Sequence, residues 1–352
     1  MRCCLVGSAP CASSVPLGGA VALAARRQRG RIPWALACLA AAGFMCGTAS
    51  AQSTARARAT TYSGASSSAR QAALPQVPRY KVDDRGDLVP DIRADAAIIY
   101  SPATGRILWE EKAFDQHAIA SITKVMTALC FLEGRPDLDR TVTILRSDTR
   151  GASTTYLRSG QRVSFSDLMH LLLVGSDNAA ARVLARNSPL GAAGFVSRMN
   201  EKAAELGLTS TAYADPSGLL ARNVSSAYDM ARLIAHAAGD DYLSGIMRQA
   251  EFTYQVNGRS RTIRNTNQLV GSPDIEVLGG KTGFISKAGY CLATLLRLPE
   301  VNETVAVVVL GARSNAARFW ETRHLFNWLM ARLPVFATGR PPLGPTSPPH
   351  LQ

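Results

Sequence analysis

Lysine is scarce in this chain. Only six of its 39 basic residues are lysines, and arginine supplies the rest of a +13 net charge. No basic helix or basic stretch interleaved with aromatics accompanies that surplus, so nothing points to a nucleic-acid partner. The charge suits either an arginine-favouring composition or an anionic partner such as cell wall or a membrane surface. H-E-x-x-H and paired C-x-x-C are missing, which excludes a dedicated zinc site. Neither a G-x-S-x-G elbow nor a G-x-x-x-x-G-K-[ST] loop occurs, so no phosphate-cradling loop and no cofactor is expected. Cysteine is almost confined to the N-terminus: five of the seven lie in the first 51 residues, leaving Cys130 and Cys291. Those two are open to either a disulfide or two buried free thiols.

The first 51 residues also lack Asp and Glu. Arg26, Arg27, Arg29 and Arg31 precede the apolar run "WALACLAAAGFMCG", and Ala49, Ser50 and Ala51 follow it. That order is a signal peptide's, with cleavage expected after Ala51. The run is too short for a comfortable membrane span. An uncleaved anchor and a misassigned start are the competing readings. The expectation is an exported protein of the periplasm or cell-wall compartment, with no permanent membrane anchor after cleavage. Residues 52–88 read as a flexible linker and lead-in. Residues 337–352 read as a proline-rich tail, and 89–336 as one globular domain.

Its ends read as sheet and its middle as helix. "AAIIYS" and "RILWEEK" flank the turn "PATG". Helical spacing follows in "SITKVMTALCFLE", in "SFSDLMHLLLVG" with Ser164 and Asp167 in a capping-box-like start, and in the runs ending at Gly207 and Gly239. Strand-like runs return from "FTYQVNG" to "ETVAVVVLGA", before an amphipathic helix, "ARFWETRHLFNWLMARL". Short connections imply antiparallel pairing. The expected fold is α/β in the broad sense (α+β): an antiparallel sheet flanked by helices, with a helical lobe inserted. His170 and His236 fall within helices and read as structural.

Three short patterns carry chemistry. In "SITK", Ser121 and Lys124 lie one helical turn apart in an apolar setting. Burial would push the lysine towards its neutral form, making a general base beside a nucleophile. The plainer explanation is an N-cap serine and a lysine reaching to water, and S-x-x-K arises by chance roughly half a time in such a chain. In "SDN", Ser176, Asp177 and Asn178 stand between two helices, either as a turn or as a second hydroxyl and an amide for the lysine and the substrate. In "LGGKTGF", Lys281, Thr282 and Gly283 follow Gly279 and Gly280 on a strand. Glycine there suits an edge strand to which an extended peptide adds, with Thr282 and Lys281 meeting its carboxylate. A protected edge is the alternative. K-T-G has a chance expectation of roughly 0.03 here.

S-x-x-K, S-D-N and K-T-G, in that order, are together the signature of serine β-lactamases and penicillin-binding proteins. The chain resembles the low-molecular-mass penicillin-binding proteins, the serine D-alanyl-D-alanine carboxypeptidase and endopeptidase family, over roughly residues 90–335. "ADPSGL", "NVSSAYDMARL", "NTNQL" and "KAGYCLA" are similar to it as well, and "SDNAAARVLA" is most similar to its endopeptidase branch. The resemblance implies a DD-peptidase/β-lactamase-like fold and a DD-peptidase catalytic domain at 89–336. It implies Ser121 as acylated nucleophile, Lys124 as its base, and Ser176 with Asn178 as proton relay and substrate holder. Lys281, Thr282 and Gly283 would dock the substrate, and the Ser121 and Phe284 N–H groups would form the oxyanion hole. Peptidoglycan peptide stems are the implied partners and β-lactams the implied inhibitors. Two other classes fit the sequence less well. A β-lactamase needs a deacylating carboxylate, and Glu201 and Glu205 sit instead on a helical run without E-x-x-L-N. A non-catalytic wall-binding module would not need Ser121, Lys124 and Lys281 intact.

Overall fold

The computed structural model describes residues 77–338. The expected signal segment, most of the 52–88 linker and nearly all of the proline-rich tail therefore lie outside the described residues. Strands β1 (Tyr80–Val82) and β2 (Leu88–Pro90) form a small hairpin within and just after the stretch read as lead-in. It is fastened to the body of the protein, since the Leu88 carbonyl accepts from Trp328 Nε1 at 3.2 Å.

Strands β3 (Ala96–Ser101) and β4 (Arg106–Glu111) match the first two apolar runs. The "PATG" turn between them closes with Gly105 at φ +69, a left-handed conformation that glycine adopts without strain. The chain then leaves the sheet. It passes β5 (His117–Ala118), a 3₁₀ turn at Ala120–Ile122 and helix α1 (Thr123–Glu133). Strand β6 (Thr141–Thr143), helix α2 (Arg146–Thr149) and strand β7 (Arg162–Ser164) follow. Helices α3 (Phe165–Leu173), α4 (Asn178–Asn187) and α5 (Gly191–Glu205) complete the lobe. Strand β8 (Val224–Ser225) pairs with β5 and leads into α6 (Ala227–Ala238) and α7 (Asp241–Met247). The hairpin β9 (Glu251–Val256) and β10 (Arg259–Arg264) comes next. Strands β11 (Val277–Ile285), β12 (Gly289–Leu298) and β13 (Glu303–Ala312) then complete the main sheet, and α8 (Asn315–Thr338) ends the described chain.

The main sheet is five-stranded and antiparallel, in the order β11-β12-β13-β3-β4. Both chain ends thus build one sheet, and the helical lobe is the insertion between β4 and β11, as expected. Along β13, Val305, Val307 and Val309 pack with Phe319, Leu325 and Leu329 of α8. The alternate residues Ala306, Val308 and Leu310 face the other core, with Ala231 and Ile234 of α6. A sheet covered on both faces reads as continuous apolar sequence, which is why "VAVVVL" does not alternate. Each such buried Val or Leu contributes roughly 1.5–3 kcal/mol.

The runs at β9 and β10 are strands, but they pair only with each other. Four of the first five residues of β10 are exposed polar side chains, so it could not sit inside a sheet covered on both sides. Helix starts are capped where the sequence suggests: Ser164 Oγ accepts from the Asp167 N–H at 3.0 Å, and Ser226 Oγ from the Asp229 N–H at 3.1 Å. His170 stacks on Phe252 with ring centroids 3.9 Å apart, a packing role. Among the described residues no helix is long and apolar enough to cross a membrane. Cys130 and Cys291 are separate buried thiols, which settles the open pairing against a disulfide. Burial pushes both up to about 12.

Candidate active site

Ser121 is not in the first turn of α1, as the sequence suggests, but in the preceding 3₁₀ turn. Ala120 has φ +47, unusual for a residue with a Cβ. That reversal opens the turn, which runs on directly into α1, and Ser121 lies at the wall of a cleft of about 440 Å³. Lys124 remains one turn away, fully buried. Its Nζ lies 2.8 Å from Ser121 Oγ, 2.6 Å from Asn178 Oδ1 and 2.5 Å from the Ser217 carbonyl. Three acceptors fill the three donor positions of an ammonium. Burial nevertheless dominates, and it holds the Lys124 pKa down to about 7, with Asp177 and Asp215 pulling the other way.

The S-D-N segment crosses the cleft from the helical lobe. Asp177, fully buried, caps α4 by accepting from the Ala180 N–H at 2.9 Å. It also accepts from Thr155 Oγ1 and the Tyr156 N–H, tying the 153–156 loop to the helix start. The residue between the two expected functional ones is therefore the post that positions them. Ser176 sits at φ +58 and lines the cleft beside Asn178. Asn178 Nδ2 donates to the Ala152 carbonyl at 2.7 Å, which turns its Oδ1 towards Lys124.

K-T-G lies on β11, an edge strand of the main sheet, as expected. Its glycines make room for protein rather than for a ligand. A Cβ on Gly283 would lie 2.5 Å from the Ile119 carbonyl and 3.3 Å from Ser121 N. One on Gly280 would meet Asn267 Nδ2 and Thr294 Oγ1 within 3 Å. The strand can thus press against the turn that carries Ser121. Thr282 Oγ1 donates to Thr266 Oγ1 at 2.7 Å at the cleft wall, and Phe284 is half-exposed there, stacked on Tyr290. Lys281 is buried beneath the cleft, its Nζ on the Thr282 carbonyl. Its pKa is held well below the ordinary value, first by burial and then by Lys124 and Arg318. For Lys281, burial outweighs the repulsion from Lys124.

Of the eight expected site residues, six line one cleft, and Lys124 and Lys281 lie beneath it. Two participants escaped the sequence reading. Arg318 of α8 lines the cleft and donates to the Gly283 and Cys291 carbonyls at 3.0 and 3.2 Å. No motif surrounds it, and only the packing of α8 on β12 and β13 brings it there. Asp215 accepts from the Ser217, Gly218 and Leu220 N–H groups, from Ser217 Oγ and from Asn223 Nδ2. That network fixes the loop whose Ser217 carbonyl meets Lys124. Its signal was the Asp and Gly of "ADPSGL", a turn composition. Glu201 and Glu205 bind Arg198 on the exposed face of α5, and no carboxylate lines the cleft. Among the described residues no group of His, Cys, Asp and Glu is arranged to hold a metal ion.

Comparison with known proteins identifies the family. Residues 84–314 match the family model for D-alanyl-D-alanine carboxypeptidase. The chain is similar to the D-alanyl-D-alanine endopeptidase of Pseudomonas aeruginosa, 34% identical over 69% of this chain and 79% of that protein. Its fold is similar to the Streptomyces K15 DD-transpeptidase, with a TM-score of 0.65 and 26% identity over 69% of this chain and 98% of that one. It is also similar to penicillin-binding protein D2 of Listeria monocytogenes, solved with cefotaxime bound, with a TM-score of 0.61 and 28% identity over 68% and 98% of the two chains. The family match covers most of the described residues, and the chain belongs to the D-alanyl-D-alanine carboxypeptidase family.

Proposed function

We propose that this serine D-Ala-D-Ala peptidase cuts peptidoglycan peptides through an acyl-enzyme on Ser121. The observation that carries the assignment is the 2.8 Å contact between Ser121 Oγ and a buried Lys124 whose pKa is held at about 7. Near neutral pH a substantial share of Lys124 is unprotonated, so Nζ can take the Ser121 proton as Oγ attacks the D-Ala carbonyl. The C–N bond then breaks, the leaving amine takes a proton and departs, and water hydrolyses the ester. Asn178 orients Lys124, and Ser176 is placed to relay the proton to the leaving group. Gly283 packs against the Ser121 backbone, which supports the Ser121 and Phe284 N–H groups as the oxyanion hole. Thr282 and Arg318 meet the substrate carboxylate. Lys281, buried and shifted, acts on the site from below.

A β-lactam acylates the same serine. With no carboxylate lining the cleft to activate water, that adduct persists, which argues against a β-lactamase. The cross-link is the preferred bond, on the similarity to an endopeptidase. The protein works in the periplasm or cell-wall compartment, exported by its N-terminal segment. Digestion of purified cross-linked muropeptides, with mass analysis of products, tests the reading. Release of monomers marks the endopeptidase, loss of a terminal D-Ala alone the carboxypeptidase. No product and no labelling by fluorescent penicillin would refute both.

A further inference from the structure

A second concavity, about 520 Å³, is walled by residues 158–161 on one side and by the β9–β10 hairpin on the other. Arg158, Arg259 and Arg261 line it, and no acidic residue does. Five other arginines of the described residues pair with carboxylates, among them Arg186 with Asp148, Arg198 with Glu133 and Arg297 with Glu276. The guanidiniums of these three have no hydrogen bond, ion pair or ring contact within the described residues. Three like charges around one groove repel each other, and no acidic residue of its lining offsets that.

The groove continues the catalytic cleft. Tyr156 lines the cleft, and Arg158 is two residues further along the same loop, within about 7 Å of chain reach. On the other wall, Arg259, Arg261 and Ile263 alternate along β10 and share a face. Ile263 packs against Gly175, and Gly175 and Thr266 both line the cleft. Arg261 is five residues from Thr266, a reach of at most about 18 Å. Both walls of the cleft thus run on as walls of the groove.

We infer that this groove is an anion subsite of the same enzyme, binding carboxylates of the stem peptide that continues from the scissile bond in a cross-linked wall fragment. The inference rests on the DD-peptidase reading above. Guanidinium pairs carboxylate in a bidentate fork, which suits an acidic peptide. An extended peptide advances about 3.3 Å per residue, so a stem of about five residues covers roughly 17 Å, comparable with that upper bound on the separation. A β-lactam or a D-Ala-D-Ala dipeptide is too short to reach it. The subsite therefore selects long acidic substrates without changing the chemistry at Ser121.

Binding decides this without turnover. In a Ser121→Ala chain, calorimetry with a cross-linked peptide carrying free carboxylates is compared with its amidated form. Adding Arg158→Gln, Arg259→Gln and Arg261→Gln should weaken the acidic peptide roughly 10-fold, a factor of two to three per exposed pair. The amidated peptide should bind both chains alike, and lysine at the three positions should restore part of the loss. In the chain with Ser121 intact, the three glutamines should raise KM for the acidic substrate and leave its acylation rate by a small β-lactam unchanged. Equal affinity in the two chains, equal loss on the amidated peptide, or no binding to the parent would each overturn the subsite. If the chain with Ser121 intact neither labels with penicillin nor cleaves any D-Ala peptide, the activity reading fails instead, whatever the binding data say.

Discussion

Gly218 lies directly against the carbonyl of Ala120. A Cβ on Gly218 would overlap that carbonyl and come within 2.9 Å of Ser121 N. Its φ is +81, so the position excludes other residues twice, by conformation and by space. Gly86 has nearly the same φ, +83, with nothing within 4 Å.

The pair separates the two effects. Gly86→Ala is expected to cost about 1 kcal/mol of stability, the left-handed penalty alone, and to acylate normally. Gly218→Ala should cost more and slow acylation by fluorescent penicillin at least about 100-fold, because the Ser121 turn must move. Thermal unfolding and labelling rates check both. Equal behaviour of the two variants would contradict the placement of the loop.

The lowered pKa of Lys124 fixes the sign of two pH effects. Acylation should rise as pH passes about 7 and then level, since the neutral amine is the active form. Stability should rise with pH above about 7, because the unfolded chain then holds a proton the folded one has lost. The shift from 10.5 to about 7 corresponds to about 5 kcal/mol of differential stabilisation. Labelling rates between pH 5 and 9 test the first effect, and denaturant unfolding at several pH values the second. A pH-independent acylation rate would count against Lys124 as base.

Asp215 acts on Lys124 through Ser217 and through its own charge. Asp215→Asn places an amide against the Leu220 N–H and the Asn223 amide, and is expected to cost roughly 1–3 kcal/mol. Removing the charge also removes one of the influences that raise the Lys124 pKa, so the acylation profile should move to lower pH. A merely structural Asp215 would lower the melting temperature and leave that midpoint in place.

Cys130 and Cys291 should behave as inert thiols. In a chain beginning at Gln52, a thiol reagent should find none in the native state and two after denaturation. Reductant should leave the melting temperature unchanged. A reductant-sensitive melting temperature would reinstate the disulfide.

The elements that read clearly in the sequence are those whose pattern is local. "AAIIYS" is β3 to the residue, and Ser164 and Ser226 announce α3 and α6. The three motifs were legible because each keeps fixed spacing within four residues. What escaped was non-local. Arg318 meets Gly283 across 35 residues, and the Ser217 carbonyl meets Lys124 across 93. The reversal just before Ser121 was hidden too, because alanine at position 120 gives no sign that its φ will be positive. Gly279, Gly280 and Gly283 were read as space for a ligand, and only the packed neighbours reveal that protein occupies it.

The sheet order has a consequence for when the enzyme can first act. Within the main sheet β11, which bears K-T-G, is hydrogen-bonded through β12 alone, and β13 joins β3 across a gap of about two hundred residues. A chain released before residue 312 would carry Ser121, Lys124 and Ser176 but lack a complete β13 to tie β11 and β12 to β3. Contacts this distant in sequence form late. Penicillin labelling of Ser121 is therefore also a clock for completed folding: the signal should appear only once the first and last strands have met.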